Sequence, residues 1–364
     1  MSSSRSELLV FEEQYFERIW GGQNLGAVFG KGIPPDRPIG EAWLISDHST
    51  AESVVAEGAE RGKTLHQLVQ EDAGRVLGRH ASLTVHGRFP LLLKLLDAND
   101  VLSVQVHPDD DTARRLNEPD VGKTEMWHVL EAAPGSELVC GLERNVTAEK
   151  LAAAIEENTL DELLVRFAVE PGDSVFVAAG SVHAIGGGNL LAEIQQNSDL
   201  TYRLYDWGRL QADGTSRALH VDKALASIHF GSPHSGKATV LSYTDGDVRR
   251  TMLAGCRYFA AELIELDGSA FNRETRCASF HILLSKSGRP VVRTGKAARS
   301  VDPGQAILVP GAATHFAVEG RGAVLDYFVP ELRADIVEPL LEHGHSEEDI
   351  ARLGGDPARS DLAL

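Results

Sequence analysis

The sequence contains little cysteine, and the positions of its thiols exclude two kinds of site. Only three cysteines occur in 364 residues, at Cys140, Cys256 and Cys277. They form no C-x-x-C pair, and their number is odd. The sequence therefore predicts neither a disulfide framework nor a metal site built from sulfur.

Basic residues and long apolar runs are also scarce. The chain carries 35 Lys and Arg against 53 Asp and Glu, a formal net charge of −18, which would repel nucleic acid and anionic membrane surfaces. No apolar run reaches the roughly 20 residues of a membrane-spanning helix, and residues 1–7 lack the apolar stretch of a secretory signal. We therefore expect a soluble cytoplasmic protein whose partner is neither nucleic acid nor a membrane.

Apolar residues are plentiful, and they are arranged as strands. A length of 364 residues with 43% hydrophobic content allows two domains with sizeable cores. Short apolar runs bounded by Gly, Pro and Asp turns are typical of an all-β sandwich or barrel. The clearest runs are residues 42–45, 90–96, 129–130 and 174–177.

Helical signals are few and local. Residues 109–111, all Asp, are placed to cap a short helix over residues 112–117. Thr147 is placed to cap a small helical insertion near residues 145–166. The apolar positions of this insertion are Leu151, Ile155, Leu160 and Leu164.

A weak internal repeat indicates the architecture. Residues 171–183 and 303–315 each contain a Pro-Gly turn, an apolar strand, a turn of small residues and a His. Both segments resemble the second cupin motif, which implies two jelly-roll barrels in tandem. Upstream of the second segment His281 stands alone, so the second barrel is predicted to hold no metal. The predicted parts are a catalytic, metal-binding cupin domain over residues 1–230, a second cupin domain over 231–330 and a C-terminal tail of undefined role over 331–364.

One short segment places three polar side chains on the same face of a strand. Side chains alternate in an extended chain, so Ser103, Gln105 and His107 share one face. Val104 and Val106 then point into a core. A Gln and a His directed into one buried space need polar partners.

Other positions can supply those partners. The same alternation places Lys123 beside Glu125 on a second strand, and His183 follows the turn of the first repeat. With Gln105 and His107, Glu125 and His183 provide two ring nitrogens, one carboxylate and one amide oxygen. Such a set suits zinc or another borderline divalent ion, and it leaves room for a substrate oxygen.

These segments resemble a known family, the type I mannose-6-phosphate isomerases (phosphomannose isomerases), over residues 15–326. The residues that carry the resemblance are LKLL at 93–96, LSVQVHP at 102–108, GKTE at 122–125, HAI at 183–185 and LAE at 191–193, followed by Ser198, Asp199 and Arg203. Longer relatives carry Pro in place of Thr124 and Ala178, and Lys in place of Arg209. These differences resemble the shorter bacterial branch.

The resemblance implies a zinc-dependent isomerase that interconverts mannose 6-phosphate and fructose 6-phosphate through a cis-enediol. It implies one Zn²⁺ per chain, with four ligands: Gln105, His107, Glu125 and His183. It further implies substrate-binding and catalytic groups. The residues for binding the sugar phosphate are Lys94, Ser103 and Arg209, and those at the reacting carbons are Arg203, Glu193 and Lys123.

The chemistry leaves two alternatives open among the catalytic residues. Arg203 suits a developing oxyanion because its planar donors never deprotonate, but it would also form a buried ion pair with Asp199 or Asp206. Glu193 or Lys123 would carry the proton if its pKa were moved toward neutrality. The sequence does not choose between them.

Other substrates and classes also stay open. Lys94 lies in an apolar strand and requires an anion, which either a phosphate or a structural carboxylate would supply, and Arg209 would also suit an exposed surface. A cupin that only binds sugar phosphate would not need Arg203 and Glu193. A cupin dioxygenase would use iron and more His ligands, which Gln105 disfavours. An isomerase of unphosphorylated aldoses remains a further alternative.

Overall fold

Short apolar runs and frequent turn residues produce a chain dominated by strands in the computed structural model, which describes residues 7–211, 213–231 and 236–363. In chain order the strands are β1 (Gln14–Gly22), β2 (Ile39–Ile45), β3 (Asp47–His48), β4 (Ala51–Glu52), β5 (Leu91–Ala98), β6 (Val104–Val106), β7 (Glu125–Ala132), β8 (Glu137–Leu142), β9 (Leu164–Ala168), β10 (Ser174–Val177), β11 (His183–Ile185), β12 (Asn189–Gln196), β13 (Tyr202–Tyr205), β14 (Leu241–Asp245), β15 (Val248–Gly255), β16 (Ala260–Glu274), β17 (His281–Gly288), β18 (Val291–Thr294), β19 (Ala297–Ser300), β20 (Ala306–Val309) and β21 (His315–Phe328). All four runs singled out in the sequence contribute to strands.

Helices are short. They are α1 (Asn24–Phe29), α2 (Leu65–Glu71), α3 (Ala73–Leu77), α4 (Asp110–Arg115), α5 (Ala148–Glu156), α6 (Val221–Ser227), α7 (Glu338–Glu342) and α8 (Glu347–Arg352), with a 3₁₀ turn at Leu160–Leu163 and a π-helical turn at Leu332–Val337. Within the described ranges, none of the helices has both the length and the hydrophobicity to cross a membrane.

The strands form three large sheets and one small one across the described residues. One sheet has six strands in the order β1-β2-β5-β12-β7-β10, and another has five in the order β13-β6-β11-β8-β9. The third has eight strands along the path β14-β15-β16-β21-β17-β20, with β18 and β19 beside it, and β3 pairs with β4. Neighbours in a sheet are often distant in sequence, so the sheets bring together residues from remote segments.

The chain divides into two compact units, each assembled from separate stretches. One contains the described residues of Met1–Gln14, Trp43–Leu93 and Thr239–Leu364, and the other contains Tyr15–Ala42 and Lys94–Ala238. The boundary predicted after residue 230 lies close to the passage from Ala238 to Thr239. Residues 43–93, assigned from sequence to the first domain, instead share a unit with the C-terminal stretch, because contacts and not chain order define a unit.

In the unit that contains Lys94–Ala238, the predicted faces of β6 are confirmed. Val104 and Val106 are fully buried and pack in one apolar cluster with Leu151 of α5 and Leu160. Gln105 therefore points to the other side of the sheet. The apolar face of β6 fixes the direction in which its polar side chains point.

Both predicted helices form behind the capping residues that the sequence indicated, but α4 begins at Asp110 and not at residue 112 as predicted. The side chain of Asp109 accepts a hydrogen bond from the Thr112 backbone at 2.7 Å and begins α4, and Thr147 begins α5 in the same way. The helical insertion is shorter than predicted. Asn158 adopts a positive φ of 58° after α5, and Leu164 begins β9, which pairs with β8.

The other unit has its own core and includes the C-terminal tail. Ile264 and Phe316 belong to the apolar cluster of the eight-stranded sheet. Ile336, Leu340 and Ile350 pack with Phe328 of β21 in a second cluster. The segment whose role was undefined therefore covers apolar residues of this unit.

The internal repeat is visible as a shared local structure. A Pro-Gly turn, with φ of 99° at Gly172 and 78° at Gly304, leads into the four-residue strands β10 and β20. After a turn, His183 begins β11 and His315 begins β21. The two segments therefore present a His at the same local position.

Candidate functional site

Strand pairing sets three of the predicted residues side by side in the five-stranded sheet. Gln105 of β6 lies directly opposite Arg203 of β13 on one side and opposite His183 of β11 on the other. Directly opposed residues of neighbouring strands point to the same face. His107 follows Gln105 by two residues and continues that face.

In the six-stranded sheet, pairing brings two predicted carboxylates to one face. Glu125 of β7 lies opposite Gln195 of β12, and Trp127 lies opposite Glu193. Glu125 and Trp127 are two residues apart, so all four side chains share a face. Glu125 and Glu193 are both buried, with exposures of 0% and 4%.

Three buried side chains converge on one point. Nε2 of His107 lies 3.4 Å from Oε2 of Glu125, and Nε2 of His183 lies 3.4 Å from Oε1 of the same carboxylate. The three ligand atoms are within 4.8 Å of one another. The Gln105 amide joins them, because its nitrogen lies 3.3 Å from Nε2 of His183.

The protein backbone orients both rings. Nδ1 of His107 donates to the carbonyl of Leu200 at 2.7 Å, and Nδ1 of His183 donates to the carbonyl of Ser181 at 2.9 Å. A carbonyl only accepts, so the proton belongs on Nδ1 and the lone pair of Nε2 faces Glu125. Backbone partners of this kind hold the tautomer that a metal ligand requires.

Burial keeps both imidazoles neutral. Burial, together with the nearby Lys123 ammonium, lowers the pKa of His107 to about 3, and burial also lowers the pKa of His183. Burial alone would raise the pKa of Glu125, but Lys123 and His107 hold it well below its ordinary value. The cluster therefore offers two neutral nitrogens and an ionised carboxylate.

One carboxylate oxygen in the cluster lacks a donor. Oε1 of Glu125 is buried and has no hydrogen-bond partner within the part of the chain that the structure describes. A buried ionised oxygen without a donor is unfavourable, and a cation would satisfy it. The donor set and the oxygen together fit a bound divalent ion.

Lys123 contributes a positive charge to the same place. It precedes β7 instead of lying in the strand, but its ammonium donates to Glu125 and lies 3.1 Å from Nε2 of His107. Burial by itself would lower the pKa of Lys123, whereas Glu125 and Glu193 raise it. The arrangement already stabilises a cation beside the ligand atoms.

Glu193 and Lys94 form a second polar pair nearby. Oε2 of Glu193 accepts from the indole nitrogen of Trp127 at 3.0 Å, and Nζ of Lys94 lies 3.6 Å from Oε1. Burial raises the pKa of Glu193 against the opposing charge of Lys123. Lys94 therefore has a structural carboxylate partner, one of the two alternatives left open by the sequence.

Three predicted residues remain. Ser103 directly precedes β6, Arg203 lies in the neighbouring strand β13, and Arg209 follows β13. Oγ of Ser103 donates to the Gln105 amide oxygen at 3.4 Å. Arg203 donates to the carbonyl of Ala218 at 2.8 Å. Arg209 is mostly buried, with 16% of its side chain exposed, and pairs with Asp206 at 2.6 Å. An exposed surface position for Arg209 is therefore wrong.

Two residues of this region were not predicted from the sequence. Trp127 contacts the His183 ring edge-on at 5.4 Å between centroids. Its position two residues after Glu125 could have predicted that it lies on the same face of the strand. Arg217 donates to Asp206 at 2.7 Å. No periodic pattern marks Arg217, because it lies in a loop whose position is set by tertiary contacts.

Comparisons with known proteins show the family to which the chain belongs. The family described as phosphomannose isomerase type I, catalytic domain, matches residues 8–127. The chain is 38% identical to mannose-6-phosphate isomerase ManA of Bacillus subtilis over 316 residues, which cover 86% of this chain and 96% of that protein. It is 34% identical to the mannose-6-phosphate isomerase of Streptococcus mutans over 86% of this chain and 96% of that one.

A solved structure is similar over almost its full length. The crystal structure of mannose 6-phosphate isomerase from Bacillus subtilis aligns with a TM-score of 0.79 at 30% identity, covering 88% of this chain and 99% of that one. Fold and likeness together define an isomerase of carbohydrate metabolism. The chain belongs to the type I phosphomannose isomerase family.

Proposed function

We propose that this protein interconverts mannose 6-phosphate and fructose 6-phosphate through a cis-enediol. The observation that carries the proposal is the convergence of His107, Glu125 and His183, with Arg203 opposite Gln105 on the same face. Aldose–ketose isomerisation needs stabilisation of a developing oxyanion and a group that moves a proton between neighbouring carbons. Relatives that carry the name mannose-6-phosphate isomerase support this choice of sugar.

We propose one zinc ion per chain as the cofactor, with Gln105, His107, Glu125 and His183 as ligands. Its support is the mixed nitrogen and oxygen donor set, the rings tethered through Nδ1 and the partnerless oxygen of Glu125 among the described residues. When bound, zinc supplies Lewis-acid polarisation of the sugar oxygens. Lys123 balances the charge of Glu125.

The chain's own side chains perform the remaining tasks. Arg203 offers a planar set of donors to the oxyanion, and its Nε is buried with no acceptor in the described ranges. Glu193 and Lys123 are the two candidates for moving the proton. Glu193 is held by Trp127 and Lys94, whereas Lys123 is held by Glu125 and His107.

We assign the sugar phosphate to Lys94, Ser103 and Arg209. Arg209 donates to the carbonyl of Val101, two residues before Ser103, so its guanidinium is attached to the segment that leads into β6. In a chain with a net charge of −18, an anionic substrate requires local cations, and the cations assigned to it are Lys94 and Arg209.

For the fold we propose two tandem cupin barrels. The support is the repeated turn, strand and His at His183 and His315. Only the first copy of the repeat is preceded by a Gln-x-His segment, and Gln105 of that segment lies opposite His183. This proposal assigns metal binding to the first barrel alone.

The two His residues of the repeat provide a matched experiment. We expect His183→Ala to lose stoichiometric zinc and isomerase activity, because it removes a ligand, and His315→Ala to keep both. Elemental analysis and an assay with mannose 6-phosphate measure these outcomes. Full zinc in His183→Ala would contradict the metal assignment, and wild-type protein that leaves mannose 6-phosphate unchanged would contradict the activity.

An isomerase of unphosphorylated aldoses is a second candidate, and a specific observation favours it. Lys94 is paired with Glu193 and Arg209 with Asp206, so each cation assigned to the phosphate already has a carboxylate partner. We therefore compare kcat/KM for mannose 6-phosphate and for free mannose. Equal values would favour the second candidate.

A further inference from the structure

A loop after β13 gathers arginines around one buried carboxylate. Asp206 is 7% exposed. Its Oδ2 accepts from Nε of Arg217 at 2.7 Å, and its Oδ1 accepts from Arg209 at 2.6 Å. Burial would raise the pKa of Asp206, but Arg217 and Arg209 hold it below its ordinary value. One ionised carboxylate therefore binds two guanidinium groups.

The buried part of this group carries an excess of positive charge. Arg203 is a third guanidinium in it, and burial together with the charges of Arg217 and Arg209 lowers the pKa of Arg203. The exposed Asp100 lies 3.8 Å from Arg209 and is screened by solvent. The positive charges of the three arginines exceed the negative charge of Asp206, which favours a bound anion.

Two donors in this group have no acceptor among the described residues. Nε of Arg203 and Nε of Arg209 are both buried and lack a hydrogen-bond partner there. Buried N–H groups of a charged side chain normally have acceptors. A phosphate oxygen bound beside Arg209 would provide its acceptor, whereas Nε of Arg203 is assigned to the reacting oxyanion.

Contacts tie the group to the candidate site. Arg209 donates to the carbonyl of Val101, and the indole nitrogen of Trp207 donates to the carbonyl of Leu102 at 2.7 Å. These carbonyls directly precede Ser103, whose hydroxyl contacts Gln105. The position of Arg209 relative to β6 therefore depends on what holds its loop.

We propose that Arg217 is a positioning residue for the phosphate of the substrate, acting through Asp206 to hold Arg209 beside the segment that leads to Ser103. The inference rests on the proposed sugar-phosphate function. A guanidinium suits this task because it holds a carboxylate through two parallel hydrogen bonds, which a lysine cannot reproduce.

A double-mutant cycle on the zinc-loaded protein tests the proposal. We measure binding of inorganic phosphate by calorimetry, and KM and kcat for mannose 6-phosphate, in Arg217→Met, Arg209→Met and the double variant. Arg217→Met should weaken phosphate binding about tenfold, the scale of one lost ionic hydrogen bond. Because Arg217 acts through Arg209, the double variant should be no worse than the worse single variant.

The control removes the same charge elsewhere. Arg114 pairs with Asp111 on the surface, with 71% of its side chain exposed, so Arg114→Met should change phosphate binding less than about twofold. Arg217→Lys keeps the positive charge, and it replaces Arg217→Met in the binding measurement if Arg217→Met does not fold. We expect Arg217→Lys to weaken phosphate binding as well, since it lacks the paired hydrogen bonds.

The outcomes distinguish failure of the role proposed for Arg217 from failure of the proposed isomerase function. Additive losses in the cycle, or wild-type binding in Arg217→Lys, would overturn the role of Arg217 while leaving the isomerase intact. Equal loss of kcat and of phosphate binding would show a merely structural effect and would also overturn it. Wild-type protein that binds phosphate but does not isomerise mannose 6-phosphate would contradict the proposed function alone.

Discussion

A buried charged side chain is stable only if its partners are supplied, and the residues of this site differ in how fully that happens. Nζ of Lys94 lies 3.6 Å from the Glu193 carboxylate, and Lys123 donates to Glu125. Oε1 of Glu125 and Nε of Arg203 have no partner among the described residues. These two atoms are the ones to which a cation and a reacting oxygen are assigned.

At this scale we predict that Arg203→Ala lowers kcat by on the order of 10²–10³, the usual effect of removing one oxyanion donor. Arg203 is assigned to the transition state and not to the metal, so zinc content should stay stoichiometric. Steady-state kinetics with elemental analysis check both values. Near-normal kcat would remove Arg203 from the mechanism, and the surface variant Arg114→Ala controls for loss of charge.

A second prediction decides the proton carrier. If Glu193 moves the proton, Glu193→Gln should lower kcat by roughly 10²–10⁴ and abolish exchange of the C2 hydrogen with solvent deuterium. Glutamine can keep the hydrogen bond from Trp127, so the fold and the zinc should be retained. Continued exchange in this variant would transfer the role to Lys123.

At the scale of elements, the tight turn between β10 and β11 is bonded to both segments that carry the histidines of the site. The amide of Gly180 donates to the carbonyl of His107 at 2.8 Å, and the amide of His229 donates to the carbonyl of Gly180 at 3.0 Å. The His229 ring lies over the turn and contacts Asp109 at 3.2 Å. The turn therefore links His107 to the start of β11, where His183 lies.

We predict that Gly180→Ala destabilises the protein more than Gly172→Ala. Both glycines have positive φ, 84° and 99°, so each alanine costs about 1–2 kcal/mol. A Cβ at Gly180 would also lie 2.5 Å from the His229 ring, whereas nothing lies within 4 Å at Gly172. That clash should add on the order of 1–3 kcal/mol.

Urea unfolding of the two glycine variants provides the measurement, and zinc content provides a second one. Gly180→Ala should bind zinc less tightly, because the turn positions His107 and His183. Equal unfolding midpoints for the two variants would show that His229 moves freely away. The turn would then be less rigid than the contacts indicate.

At the scale of the whole molecule, the unit with the eight-stranded sheet has its own buried charge network. Glu262 is fully buried and accepts from Arg250 at 2.6 Å and from Arg273. Arg273 also donates to Asp326 at 3.0 Å, and Asp326 pairs with His281 at 3.0 Å. His281, which stood alone in the sequence, is thus hydrogen-bonded to this network through Asp326.

We predict that Glu262→Gln lowers the free energy of unfolding by up to about 3–5 kcal/mol at neutral pH, because it removes the buried charge shared by Arg250 and Arg273 and leaves them only Asp245 and Asp326. Burial alone would raise the pKa of Glu262, but Arg273 and Arg250 hold it below its ordinary value. The stability contributed by ionised Glu262 is therefore fully present above about pH 4.3, the pKa of a Glu carboxyl in the unfolded chain. It is lost as the pH falls through the lower pKa of Glu262 in the folded protein.

Denaturant unfolding at several pH values checks this prediction. The difference between wild type and Glu262→Gln should shrink as pH falls below about 4, since the unfolded carboxyl then binds its proton. A difference independent of pH would assign the effect to packing. Zinc content should not change, because Glu262 pairs in its own unit with Arg250 and Arg273, which are not assigned to the metal.

Local chemistry in the sequence was enough to predict much of this protein. Alternation placed Gln105 and His107 on the face opposite Val104 and Val106, and short polar side chains marked the starts of α4 and α5, because both effects act between residues close in the chain. The family followed from motifs in continuous segments. The end of the helical insertion was missed, since pairing of β9 with β8 decided it.

Contacts between remote segments decided the rest. Pairing of β6 with β11 set His183 opposite Gln105, 78 residues earlier, and a loop brought Arg217 to Asp206. Residues 43–93 joined the C-terminal stretch in one unit. Periodicity reports only which face a side chain occupies, whereas burial and charge pairing across the chain determine which faces meet.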